Sequence, residues 1–177
     1  MKGTRVSTIP QNHTANDEAA GRIAPFVGSK VFNNLFAAGM ELVEETALYL
    51  DEDGKNQARS LPRDAALAYA GLSMRLTTRL MQIASWLLVL RALRDGEMSY
   101  AEASEDKYRV GEPEGGALAR GITAGLPDRM LALVEDTDTL FARITRLDQE
   151  LFRPEEARSY GTDAAGRLAA LRSAFGD

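Results

Sequence analysis

Glu41, Glu44 and Glu45 in "ELVEET" (41–46), with Arg75, Arg79, Gln82 and Trp86 further on, are the side chains whose types and spacing suit polar chemistry. On a helix, Arg75, Arg79, Gln82 and Trp86 recur at steps of four, three and four, so they line one side. A guanidinium beside an indole and leucines is costly unless a counter-charge meets it. If the two helices run antiparallel, the three glutamates come level with Arg75 and Arg79. That constellation is either an ion-pair network inside a bundle or a recognition site for a charged partner.

Catalysis finds little to work with. Glu41 and Glu44 have the spacing of paired carboxylates, but di-metal bundles also need Glu-x-x-His from other helices. No carboxylate lies between Asp64 and Asp95, and the single imidazole, His13, sits in a polar amino-terminal stretch. A Ser–His–Asp device would have to recruit that same histidine, and without cysteine there is no thiolate nucleophile. No phosphate-binding Gly-x-x-x-x-Gly-Lys-Ser/Thr loop occurs, and the glycines of 109–126 follow no strand. The expectation is a protein that is not an enzyme, with no catalytic residue, metal or cofactor. Glu135, Asp136 and Asp138 read as a solvated face.

Composition narrows the partners. A chain of 177 residues, 45% hydrophobic, can bury one sizeable core. A net charge of −5 argues against nucleic acid or an anionic membrane as partner. The start of the sequence has no apolar run of the secretory kind, and the lack of cysteine suits a reducing cytoplasm, the expected location. Within 77–96, the most apolar stretch, the longest uncharged run, Leu80 to Leu90, is eleven residues, whereas a membrane span needs about 20.

The elements that must position these residues are helical, since the apolar residues favour Leu, Ala and Met without alternating β-branched runs. Residues 1–27, with Pro10, Gly21 and Pro25, read as a polar tail. A first long helix runs from Ser29 to about Asp51 with Phe32, Phe36, Met40, Val43, Ala47 and Leu50 on its apolar face. "DEDGKNQARS" (51–60) supplies a turn in which Gly54 suits a C-cap. A second helix opens in "SLPRDAAL" (60–67) and runs to Asp95-Gly96, about 50 Å long. "SYAE" (99–102) has the spacing of a capping box. Residues 109–126 form a glycine-rich crossover. The third helix opens at Pro127-Asp128 and ends before Pro154, with Met130, Leu133, Thr137, Leu140, Ile144, Leu147 and Leu151 in three-four alternation. The expected fold is all-α: an antiparallel three-helix bundle (28–153) with a very long middle helix, between tails 1–27 and 154–177.

The second helix is apolar on more sides than one bundle can cover. Tyr69, Leu72, Leu76, Leu80, Ile83, Leu87 and Leu90 make a core seam, while Met74, Met81 and Leu88 lie along another side. A lone bundle helix keeps a broad polar face. The excess predicts a homodimer that buries part of this surface, with Met81, Leu88 and Ala92 at the interface.

Two blocks, "ELVEETALYLD" (41–51) and "RDAALAYAGLSMRLTTRLMQIASWLLVLRALRDGEM" (63–98), resemble an alphaproteobacterial family, that of RcdA, the regulator of CtrA degradation. The resemblance covers roughly the first two helices. It implies a dimeric three-helix bundle without enzymatic activity, an adaptor that tethers substrates to the ClpXP protease during the cell cycle beside a response-regulator-type partner. The family brings no catalytic motif. Residues 153–162 are too polar to pack a core, and "DAAGRLAALRSAFG" (163–176) carries Leu168, Leu171 and Phe175 as an i, i+3, i+7 anchor set. The resemblance favours a tether that orders on a partner groove; docking on its own bundle is the other reading. Two further classes stay open: an enzyme or small-ligand binder using an inter-helix pocket, and a DNA-associated helical protein.

Overall fold

The structure is a computed structural model and describes residues 20–21, 23–111 and 125–152. The expectations for residues 1–19, including His13, for 112–124 of the crossover and for the carboxyl-terminal segment 153–177 lie outside the described residues. Among the described residues every regular element is helical.

Helix α1 (Lys30–Asp51) begins where Ser29 caps it: the Ser29 hydroxyl accepts from the Phe32 N–H at 3.2 Å and donates to the Phe26 carbonyl at 2.6 Å. That second bond joins α1 to a helical segment over 23–27. Its Ile23 and Val27 are buried in the core. The bundle therefore begins earlier than the expected tail boundary at residue 27, because two apolar residues four apart give this segment a face to bury.

The buried stripe of α1 is Phe32, Leu35, Gly39, Leu42, Thr46 and Tyr49. The expected face through Phe36, Met40, Val43 and Leu50 is only half-buried, and Ala47 is exposed. Gly39 explains the offset. A Cβ there would lie 2.5 Å from Leu87 Cδ1, so the two helices approach most closely along the line that carries the glycine.

The expected turn at 51–60 is a helix, α2 (Asp53–Ser60). Gly54 is not its C-cap; it is buried where a Cβ would meet the Tyr69 hydroxyl and, at 2.8 Å, the Tyr49 carbonyl oxygen. Helix α3 (Arg63–Arg94) carries Asp64 in its first turn and Arg91 and Arg94 in its last, matching the helix dipole. It stops in a Schellman motif: Gly96, at φ +75°, donates to the Leu93 carbonyl and Glu97 donates to that of Ala92. Ser99 and Glu102 form the expected capping box of α4 (Tyr100–Ala103), which leads to a 3-10 turn at Asp106–Tyr108.

Helix α5 (Asp128–Phe152) buries Met130, Leu133, Thr137, Phe141, Ile144 and Asp148. Its first half follows the expected stripe. The second half turns to Phe141 and Asp148, leaving Leu140, Leu147 and Leu151 half-buried. The core thus forms around α3, which packs on both α1 and α5. Asn33 meets Arg94 and Gly39 faces Leu87, so α1 and α3 run antiparallel. Arg79 meets Asp138 and Trp86 meets Asp148, so α3 and α5 run parallel. The antiparallel expectation holds for α1 against α3 and α5, and not for α3 against α5.

Candidate interaction site

Helix α3 puts charge into the bundle on one side and apolar surface outside it on another. Arg75 donates to Asp138 Oδ2 at 2.6 Å, and Arg79 is paired with Asp138 Oδ1. Both guanidinium groups are largely buried, and Arg79 also lies over the Phe141 ring at 5.2 Å. Burial, with the neighbouring charge of Arg75, holds the Arg79 guanidinium below its ordinary pKa. The expected counter-charges do not take part: Glu41 and Glu44 are exposed, and Glu45 pairs with Arg129. Arg75 and Arg79 look towards α5, and Asp138, expected on a solvated face, is the acid they share.

Trp86 belongs to a second cluster two turns on. Its indole N–H donates to Asp148 Oδ1 at 2.7 Å, and Arg109 donates to the same oxygen at 2.6 Å. Arg109 also donates to the Ala103 carbonyl and sits over the Phe152 ring. Burial pushes the Asp148 carboxyl above the usual carboxylate range, against the opposing pull of Arg109, Trp86 and the Val110 amide. The pair fastens the chain after α4 to α5. Gln82 borders Gly111 on the rim of this cluster. The sequence carried one signal for Asp148: it continues the three-four spacing from Phe141 and Ile144.

Outside, Leu67, Met74, Met81 and Leu88 recur every seventh residue and are 77%, 72%, 66% and 51% exposed. Between them, four residues on from each, stand Gly71, Thr78, Ser85 and Ala92, all small; the first three are exposed and Ala92 is half-buried. The result is an uncharged ribbon along the length of α3, with the knob spacing of a coiled-coil seam and room for close approach. It contains the expected interface residues Met81, Leu88 and Ala92 and extends them to Leu67. Shallow grooves flank it. One of about 630 Å³ is floored by Leu50, Tyr69 and Met74 and edged by Lys55 and Arg59. Another, of about 510 Å³, lies between Trp86, Val89 and Tyr108.

Among the described residues no three His, Cys, Asp or Glu side chains stand together in a way that could hold a metal ion. Among them, too, no helix is long and apolar enough to cross a membrane. The arrangement supports association more readily than chemistry. Leu168, Leu171 and Phe175 lie outside the described residues.

The family model DUF1465, described as a protein of unknown function, matches residues 23–175. Among solved structures, the chain is similar to RcdA from Caulobacter crescentus CB15, with 44% identity and a TM-score of 0.58. The match covers 70% of this chain and 92% of that one. No curated protein matches the chain.

Proposed function

The chain belongs to the DUF1465 family, and on the premise of that RcdA-like membership we propose that it is a non-catalytic adaptor of regulated proteolysis. It tethers regulatory substrates to the ClpXP protease in cell-cycle control, alongside a response-regulator-type partner, in the cytoplasm. The observation that carries this reading is the 44% identity to RcdA, a regulator of CtrA degradation, over nearly the whole of that chain. The α3 ribbon supports it. An adaptor needs surface that a lone bundle does not use, and an uncharged ribbon along a long helix is surface of that kind.

The protein acts as a homodimer through that ribbon. In a two-fold pairing of antiparallel α3 helices with the axis level with residues 79–80, Leu67 and Met74 of one copy come level with Ala92 and Ser85 of the other. Large residues then meet small ones at each step. The buried arginine pairs are structural and keep the helix rigid, while Leu168, Leu171 and Phe175 serve as a tether for partners.

Affinity capture from a lysate, read by mass spectrometry, tests the adaptor reading: ClpX or ClpP should be retained. A bound metal or small molecule instead would favour the pocket reading, floored by Leu50, Tyr69 and Met74. Salt-dependent retardation of a DNA duplex would favour the nucleic-acid reading. Sedimentation tests the dimer, which Leu88→Glu should dissociate because it would bury an unpaired charge.

A further inference from the structure

At the end of the bundle, the helical segment 23–27 and the end of α3 leave a groove of about 440 Å³ between Ala24 and Val27 on one wall and Leu93, Met98 and Tyr100 on the other. Its guanidinium, Arg94, is already engaged by Asp95 at 2.8 Å and Asn33 at 3.0 Å. The groove therefore offers apolar burial rather than charge recognition, in the size range of pockets that enclose small apolar groups.

The chain supplies its own occupant. Helix α5 ends at Phe152, whose ring stacks on Tyr100 with centroids 5.8 Å apart and planes 13° from parallel. Helix α5 therefore ends one ring away from the groove wall. Residues 153–162 can reach at most roughly 35 Å, ample for the distance. Beyond them Leu168, Leu171 and Phe175 have the i, i+3, i+7 spacing that one helix face would share.

We propose that the segment 163–176 docks on its own bundle in this groove, as a helix whose Leu168, Leu171 and Phe175 cover Ala24, Leu93 and Met98. A helix so short is marginal alone, so apolar cover is what it lacks and what the groove provides. A linker of ten residues holds it at an effective concentration on the order of millimolar, which favours its own groove over a partner of modest affinity. Glu97, exposed and next to Met98 in the chain, supplies the charge opposite to Arg167 and Arg172. That docking withholds the anchors until a partner displaces them is a consequence resting on the adaptor reading; the docking itself does not depend on it.

The chain has no cysteine, so spin labels at Ala101→Cys and Ser173→Cys report one distance without background. The measurement uses the full chain, diluted into an excess of unlabelled protein so that only intramolecular pairs are read. Docking predicts one narrow, short-distance population. It is lost on Ala24→Glu, at an exposed position of the groove wall, and on Leu171→Asp in the segment itself, with bundle helicity unchanged in both. A broad distribution in the unsubstituted chain overturns the proposal. So does a short population that survives both substitutions, which would place the segment elsewhere. A short distance seen only without dilution overturns it too, by placing the segment on a second copy. None of these outcomes bears on whether the protein delivers substrates to a protease.

Discussion

Trp86 on α3 donates its indole N–H to Asp148 on α5 at 2.7 Å, placing a carboxylate that is only 7% exposed inside the packed end of the bundle. Arg109 is the counter-charge, and the two are interdependent. Asp148→Leu should destabilise by about 3–5 kcal/mol, because the Arg109 guanidinium stays largely buried without a counter-charge. Adding Arg109→Met to that variant should recover most of the loss. Urea unfolding of both variants checks it; equal losses would mean that Arg109 finds water when Asp148 is gone.

Asp138 holds two guanidinium groups, so the three residues should not contribute equally. Arg79→Ala should cost about 1–3 kcal/mol, the range for a buried hydrogen-bonded group. Arg75→Ala should cost less, since Arg75 is the more exposed of the two. Asp138→Asn should cost the most, leaving two positive charges side by side. An unchanged unfolding midpoint in Arg79→Ala would free that residue for partner recognition.

The same substitution should act with opposite sign at two glycines. Gly71→Ala lies in mid-helix with nothing within 4 Å in the single chain, and should stabilise the monomer by roughly 0.5–1 kcal/mol through helix propensity. Gly54→Ala gains the same propensity, but its Cβ meets the Tyr49 carbonyl oxygen at 2.8 Å and the Tyr69 hydroxyl. It should destabilise. Thermal unfolding of the two variants, both in the Leu88→Glu background that keeps the chain monomeric, decides both signs.

Alkaline pH should weaken the bundle through Tyr49. Burial, then the neighbouring Tyr69, pushes its hydroxyl up to about 12 from an ordinary 10. The folded state therefore keeps a proton that the unfolded state releases. The stability tied to Tyr49 is complete below pH 10 and falls as pH rises towards 12, by at most roughly 1.4 kcal/mol per pH unit. Tyr49→Phe should flatten that slope, although it also loses the 3.0 Å bond from the hydroxyl to Gln57. Equal slopes in both proteins would contradict the assignment.

Helix ends were legible because caps are local: Ser29, the Ser99–Glu102 box, Asp95-Gly96 and Pro127-Asp128 act within a few residues of themselves. Helix faces were less so. Gly39 is silent in a hydrophobic pattern, yet it marks the line of closest approach and shifts the whole α1 stripe. Asp138 reads as a surface acid and Asp148 carries no reading at all, because the arginines that hold them lie far away in sequence. The outer ribbon of α3 was half legible. Met74, Met81 and Leu88 stood apart from the core seam, but Leu67 joined them only once the register of α3 against its neighbours was fixed.

The adaptor reading meets its most direct test in a reconstituted degradation assay with ClpXP and a substrate captured by the full chain. Adding the purified protein should raise the rate of substrate loss in a saturable way. Deleting residues 157–177 should reduce that gain while leaving the bundle folded and dimeric. A rate that stays flat as the full-length protein is added, at concentrations where it demonstrably binds the substrate, would contradict the account.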